Sequence, residues 1–373
     1  MNNFKHIEIN IGKACNNRCK FCMSSKSKDW DSKFTTLDVL KQKIDSYAKK
    51  GYNSIGFLGG DISIHPQIID IISYCKNNGF ININIVTNGV KFSDYEFTKK
   101  VVEAGLTRVN FSIHSHLDEV EDYLTQVKGG LKKKLKAIDN FNEFYNNGLL
   151  RDNLSINIVL NRKNLDTIIE TVLYFYKVKK INDIRINFIW LNDDNKENWE
   201  ELTLSYSDFS NYMKKLVYIS LKYNIRITFD TIPPCIFYSM DKENYRALLV
   251  RFLGENLDYI SDIDNINNND QFNWKERKKD ILKTQFDQCE SCIYKISCQG
   301  VRKSYKEIYG GAEFSPIKII NSKEKKIKQT NVENNNKKYS LDDFDDKIKI
   351  YYKENKEILD KYNYINNFIS KLD

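Results

Sequence analysis

The strongest constraint on how this chain can fold is a rhythm. From residue 1 to about 230, short strand-like runs alternate with longer helix-like ones, and no internal repeat is visible. Strand candidates are His6–Ile11, Asn53–Leu58, Ile81–Val86, Arg108–His114, Leu154–Leu160, Ile184–Leu191 and Ile225–Phe229. The stretches between them, Thr36–Lys50, Gln67–Asn78, Ser93–Ala104, Leu131–Asn147, Asp166–Lys179 and Asp208–Tyr223, carry apolar residues at helical spacing. Strands separated by helices of this size are expected as βα units sharing a parallel sheet or barrel. Ser93 reads as an N-cap and Pro66 as a first-turn residue. With 373 residues, 41% of them hydrophobic, the chain can bury one large core and a smaller one.

The strands themselves say more. Polar residues recur at every second position: Asn82 and Asn84; Asn110, Ser112 and His114; Ser155 and Asn157; Arg185 and Asn187. Side chains alternate across a strand, so each set lies on one face. Fully buried parallel strands normally read as unbroken apolar runs. A barrel whose interior is polar, because it holds a polar ligand, explains four strands with one pattern better than four polar edge strands would.

Cysteines concentrate at two places. Cys15, Cys19 and Cys22 stand in a Cys-x3-Cys-x2-Cys run directly after the first strand. Three thiolates in so short a run can hold three irons of a cubane [4Fe–4S] cluster. No further Cys or His adjoins the run, so the fourth iron would stay open, and an open position is what separates catalytic metal sites from closed structural ones. A zinc knuckle would want that missing ligand; a disulfide loop is the other bland reading. Farther on come Cys289, Cys292 and Cys298, with Cys235 after Pro233-Pro234. These four could ligate one complete cubane, or one structural zinc. Cys75, alone on a helical segment, reads as a buried structural thiol. The first residues run straight into a strand-like alternation, and no apolar run approaches the roughly 18 residues of a membrane span. A cytoplasmic protein that binds no membrane is therefore expected, with its cysteines serving as ligands and not as disulfides.

The Cys15-x3-Cys19-x2-Cys22 spacing, with aromatic Phe21 just before the third cysteine, resembles the radical S-adenosylmethionine (SAM) superfamily. Gly59-Gly60-Asp61 at the end of strand two resembles that family's Gly-Gly-Glu-Pro motif, with Asp in place of Glu and Ile62 in place of Pro. Thr87-Asn88-Gly89 and Ser112-Ile113-His114, ending strands three and four, resemble positions around the SAM ribose and carboxylate. The resemblance covers about residues 5–230. It implies a partial (β/α)6 TIM-like barrel and a [4Fe–4S] cluster on Cys15, Cys19 and Cys22 whose open iron takes the methionine end of SAM. Phe21, Gly59, Gly60, Asp61, Thr87, Asn88, Ser112 and Asn157 are the implied cofactor contacts, with Asp61 at the methionyl ammonium. It implies reductive SAM cleavage to methionine and a 5′-deoxyadenosyl radical that abstracts hydrogen from a substrate, fed by an electron donor such as flavodoxin or ferredoxin. His114 is one of only four histidines, which is no sign by itself of acid–base work. The Cys289–Cys298 cluster with Gly300 and Tyr309-Gly310-Gly311 resembles the SPASM or twitch extensions that bind auxiliary clusters; a full SPASM domain has seven cysteines, and this chain falls short.

The expected domains are a barrel over 1–230, a cysteine-rich extension over 231–320, read as loop with short helices over 255–288, and a tail over 321–373. That tail joins a Lys/Asn-rich linker (321–338) to a charged helix (341–372). Relatives with such extensions commonly modify peptides, which makes a peptide the first substrate class, ahead of a small precursor or tRNA. A non-enzymatic iron–sulfur sensor would have no use for the Gly59-Gly60-Asp61 and Thr87-Asn88-Gly89 motifs. The formal charge of +8 is scattered and not gathered in one stripe, which argues against nucleic acid as a partner.

Overall fold

The computed structural model describes residues 5–23, 34–230, 232–242, 245–253, 262–265 and 270–318. Seven parallel strands follow the predicted order: β1 (His6–Asn10), β2 (Ser54–Leu58), β3 (Asn82–Thr87), β4 (Arg108–Ser112), β5 (Ser155–Leu160), β6 (Asp183–Phe188) and β7 (Arg226–Asp230). Each pairs with its sequence neighbour. The connecting helices are α1 (Leu37–Lys49), α2 (Ile68–Asn77), α3 (Tyr95–Glu103), α4 (Asp118–Thr125), α5 (Gly130–Asn146), α6 (Ile168–Lys177), α7 (Trp199–Leu202) and α8 (Tyr206–Tyr223). This is the mostly parallel α/β sheet that the rhythm predicts. Among the described strands, β7 is one sheet edge and no strand joins it to the other, in keeping with a partial barrel.

The alternation within strands sorts the two faces. Ile83, Ile85, Val109, Phe111, Ile156, Ile158, Ile184 and Ile186 are fully buried, on the side that the helices cover. Asn84, Asn110, Ser112, Asn157 and Asn187 sit half-buried on the other side. Arg185 is exposed. Burying the isoleucines drives the sheet against its helices; the asparagines are left to line the concave face. Asn187 donates to Asn157 across two strands, and Arg108 and Arg226 both reach Asp183 at the strand starts.

Three expectations need correction. The segment 255–288 is not loop and short helix alone. β8 (Asp262–Asn265) adds in parallel to the free side of β1, and β9 (Asp270–Asn273) returns antiparallel, making a nine-stranded sheet ordered β7-β6-β5-β4-β3-β2-β1-β8-β9. Asn and Asp are depleted in strands, so composition hid the pair. Its anchor is the buried Asp264, which accepts from the Tyr47 hydroxyl at 2.7 Å and meets Lys43 Nζ at 3.0 Å, both on α1. Asp94, not Ser93, caps α3, accepting from the Phe97 N–H at 3.0 Å. Pro66 precedes α2 instead of entering it.

After β7 come α9 (Pro234–Met240) and α10 (Tyr245–Phe252), then α11 (Trp274–Arg277), an antiparallel pair of two-residue strands, β10 (Lys283–Thr284) and β11 (Val301–Arg302), and α12 (Lys303–Tyr309). The linker and tail helix expected beyond 320 lie outside the described residues.

Candidate active site and second cysteine cluster

The cysteine loop follows β1 and is wired to its surroundings by backbone groups. Arg18 and Lys20 donate N–H bonds to the carbonyls of Thr125 and Leu124, each 3.0 Å, so the end of α4 carries the loop. From beyond β6, the buried Asn195 donates its amide to the Phe21 carbonyl at 3.1 Å, and Asn198 does the same for Lys20 at 3.0 Å. From β2, Gly60 and Asp61 donate to the carbonyls of Gly12 and Ala14, each 2.8 Å. That last contact explains the two glycines. A Cβ on Gly60 would stand 1.9 Å from the Ala14 oxygen, and one on Gly59 2.3 Å from the Gly12 oxygen. The glycine pair thus lets the end of β2 touch the cysteine loop.

Asp61 is buried and fully used. Ser63 N–H donates to Oδ1 at 2.8 Å, Asn88 N–H to Oδ2 at 2.7 Å, and the Thr87 hydroxyl to both oxygens at 2.9 and 3.0 Å. Burial pushes its carboxyl pKa up, and those hydrogen bonds oppose the rise. Asn88 carries the link onward: its amide donates to Asn16 Oδ1 at 2.6 Å and reaches Cys15 Sγ at 3.8 Å. So the structure brings Gly59, Gly60, Asp61, Thr87 and Asn88 together with Cys15 at the strand ends. Ser112 and Asn157 are register partners on the concave face. Phe21 packs edge-on against the His114 ring, centroids 4.5 Å apart.

Cys15, Cys19 and Cys22 are partly buried thiols outside any disulfide that act on one another electrostatically. Burial, with Asp61 second, pushes the Cys15 pKa up to about 11; burial pushes Cys19 up as well. Binding a metal would have to displace those protons. The Asn17 N–H, 3.4 Å from Cys15 Sγ, is placed to stabilise a thiolate.

The second set also converges. Cys235, Cys289, Cys292 and Cys298 line one pocket with Pro234 and Phe286. Burial first, then the other three cysteines, push Cys235 up to about 12. Gly300 N–H donates to Cys298 Sγ at 3.3 Å. Among the described residues no three His, Cys, Asp or Glu side chains are grouped tightly enough to hold a single metal ion. Cys75 is fully buried on α2, as a structural thiol should be.

Sequence reasoning missed four residues. Glu8, on the concave face of β1, lies against Gly56, where an added Cβ would clash with the Glu8 carboxylate. Its Oε2 is buried without a hydrogen-bond partner among the described residues, while Oε1 meets His6 Nε2 at 2.7 Å. The His6-x-Glu8-x-Asn10 alternation was the signal. Glu121 and Lys134 form a buried ion pair at 2.5 Å beneath the loop, Glu121 also accepting from the N–H groups of His114 and Ser115. Burial raises the Glu121 carboxyl, but Lys134 and the other donors outweigh it and hold it below its usual value. Asn195 left no local signal.

Comparison with known proteins gives the class. Residues 9–175 match the Radical SAM superfamily, whose enzymes use a [4Fe–4S] cluster and SAM. In particular, the chain is 26% identical over 187 residues to the GTP 3′,8-cyclase of Limosilactobacillus fermentum, covering 49% of this chain and 53% of that one. The chain spans about half the length of such curated relatives. The fold is shared with Streptococcus suis SuiB bound to S-adenosylmethionine (TM-score 0.57, 15% identity, 80% of this chain and 73% of that one). It is shared too with SuiB bound to its precursor peptide SuiA (TM-score 0.52, 16% identity, 70% and 58%). No described helix is long and apolar enough to cross a membrane.

Proposed function

We propose that this chain is a radical SAM enzyme whose SAM-binding [4Fe–4S] cluster sits on Cys15, Cys19 and Cys22 and whose second cluster sits on Cys235, Cys289, Cys292 and Cys298. The observation that carries the reading is the hydrogen-bonded chain from Asp61 through Thr87 and Asn88 to Cys15, which ties the expected SAM-contact strand ends to the cysteine loop. When bound, the cluster and SAM supply a 5′-deoxyadenosyl radical, formed with one electron from a donor of the flavodoxin or ferredoxin class, which takes a hydrogen atom from the substrate. The residues of the chain do the rest. Gly59 and Gly60 seat β2 on the cysteine loop, Asp61 and Asn88 set the rim, and the concave face of Asn84, Asn110, Ser112 and Asn157 offers polar groups to a ligand.

Iron–sulfur is favoured over zinc at the second site by spread. Tetrahedral zinc at about 2.3 Å from each sulfur draws its thiolates to roughly 3.8 Å of one another. The four cysteines instead surround a cavity without grouping about one point, as ligands that each bind a different iron do. We assign residues 231–320 to a twitch-like extension and 1–230 to the barrel. Eight cysteines with no disulfide among them suit a reducing, cytoplasmic setting. As substrate we favour a peptide, since SuiB binds one; the cyclase relatives support a small molecule as the second reading. Anaerobic protein reduced with dithionite should release 5′-deoxyadenosine and methionine in equal amounts from SAM; reduced, iron-loaded protein that leaves SAM intact would defeat the reading.

A further inference from the structure

The site described above leaves unused a second group of buried charges at the same barrel mouth. β10 and β11 place Lys283 directly opposite Arg302, and both are buried, 6% and 5% exposed. Like charges facing one another across a ladder repel, and a buried cation is costly unless it meets an anion. Lys278 is a third, its Nζ 3.6 Å from Asp230 Oδ1. Asp230 is the carboxylate that all three share. Arg302 Nη1 is buried with no hydrogen-bond partner among the described residues, although a guanidinium keeps its charge and five donors. Its flat face stacks on Trp190, which packs on Trp274 with centroids 5.3 Å apart, so the fork is held in place.

Position gives this group a purpose. Asp230 ends β7 and is the register partner of Asn187, whose side chain meets Asn157 on the concave face. An open pocket lies between Asp230, Lys278, Lys283 and Cys298. Ligands bind at the C-terminal ends of such strands. The cations therefore stand at β6 and β7, across the concave face from the cysteine loop at β1. The second cysteine set offers another anion, because Lys283 also acts on Cys298. That accounts for Lys283 alone: the groups acting on Arg302 are Asp230 and Tyr206.

We propose that Arg302, Lys283 and Lys278 form a substrate subsite for an oxyanion, a carboxylate or phosphate group that anchors the substrate opposite SAM. This rests on the enzyme reading above and narrows its substrate to one bearing such a group. The test uses the full-length chain, reconstituted anaerobically, titrated calorimetrically with inorganic phosphate and separately with succinate. One or both should bind saturably at one per chain, and the preferred probe tells phosphate from carboxylate. Affinity should fall about tenfold or more in Arg302→Gln and Lys283→Gln, as for a lost charged hydrogen bond, and hold in Lys303→Gln, the exposed neighbour. Arg302→Lys, which keeps the charge but not the fork, should fall between. Should Arg302→Gln fail to fold, Lys278→Gln reads the same site from its rim. No saturable binding of either probe, or equal binding in the variants, overturns the subsite. A Lys283→Gln protein with a lowered potential at the second cluster and unchanged anion affinity overturns it too, in favour of cluster charge balance. SAM cleavage without substrate, measured on the same samples, reports separately on the enzyme reading.

Discussion

The two cysteine regions are built in opposite ways. The first is held from outside: α4, the end of β2 and the segment after β6 each contribute hydrogen bonds to the loop around Cys15, Cys19 and Cys22. The second is held around its cysteines by its own segment, while α12 beyond them is tied back to the barrel, where the Tyr305 hydroxyl accepts from the Tyr206 N–H at 3.0 Å and Ser304 donates to the Leu191 carbonyl at 2.8 Å. Gln285 donates to the carbonyls of Lys295 and Cys298, both 2.8 Å, Cys289 N–H bonds the Phe286 carbonyl at 2.9 Å, and Ile293 N–H bonds that of Ile317 at 2.9 Å. Its strands are two residues long, and Ile296 is 85% exposed. The difference teaches where folding energy comes from. The first loop can be formed by the barrel before any metal arrives; the second gains much of its order from the metal, because ligand binding and folding are coupled in such sites.

The largest expected effect breaks chemistry while sparing structure. Replacing Cys15, Cys19 and Cys22 together by Ala should abolish 5′-deoxyadenosine formation, yet leave the thermal midpoint within a few degrees of the parent. A triple variant that still cleaves SAM would refute the assignment; one that unfolds would refute the contrast. At the second site the order reverses. Cys289→Ala with Cys292→Ala should drop iron from about eight per chain, two cubanes, to about four, and expose residues 285–318 to protease. About four irons with stoichiometric zinc in the parent protein would make the second site structural zinc.

The same contrast governs what could be read in advance. β1–β7 and the helices α1, α2, α3, α5, α6 and α8 were legible because alternation and helical spacing are local, and burial enforces both; the short α4 and α7 were not. Gly59, Gly60, Asp61, Thr87 and Asn88 were legible as a rim, but not the way they close on one another. Asp61, expected to point at a ligand, spends its oxygens on Ser63, Thr87 and Asn88. The strands β8 and β9 escaped notice because backbone pairing and one buried Asp264, not apolar periodicity, hold them. Asn195 and the Glu121–Lys134 pair bind partners far away in sequence, and no window along the chain contains both ends.

Asp61 gives an intermediate effect that sharpens the first region. An amide in place of the carboxylate turns an NH2 toward donors, so Asp61→Asn should cost about 1–3 kcal/mol of stability, the range for a buried donor left unmet. SAM affinity should fall alongside, because Asn88 loses its anchor. Thr87→Val, which keeps the charge, should weaken SAM binding in the same direction. Denaturant midpoints and SAM titrations decide the point. Weaker SAM binding in Asp61→Asn at unchanged stability, with Thr87→Val silent, would instead mean that the carboxylate contacts the methionyl ammonium directly.

The smallest effect concerns acid and again separates the regions. His114 lies under the cysteine loop, its ring against Phe21 and its Nδ1 accepting the Val159 N–H at 3.1 Å. That bond needs a bare Nδ1. Burial lowers its pKa from the ordinary 6.5 to about 4, Glu121 opposing and Lys134 assisting. In the unfolded chain the imidazole takes a proton near 6.5; in the folded chain it does not until about 4. Between those values the unfolded state binds more protons, so stability falls as pH falls. At about 1.4 kcal/mol per unit, His114 alone should remove roughly 2 kcal/mol between neutrality and pH 5. His116, lowered to about 4 by burial, adds in the same direction. A His114→Gln protein should therefore show a shallower loss of stability from pH 7 to 5 than the parent, measured by urea unfolding at each pH. Parallel curves for the two proteins would mean that His114 titrates in the folded state as it does in the open chain, and that the packing under the loop is looser than the Phe21 contact implies.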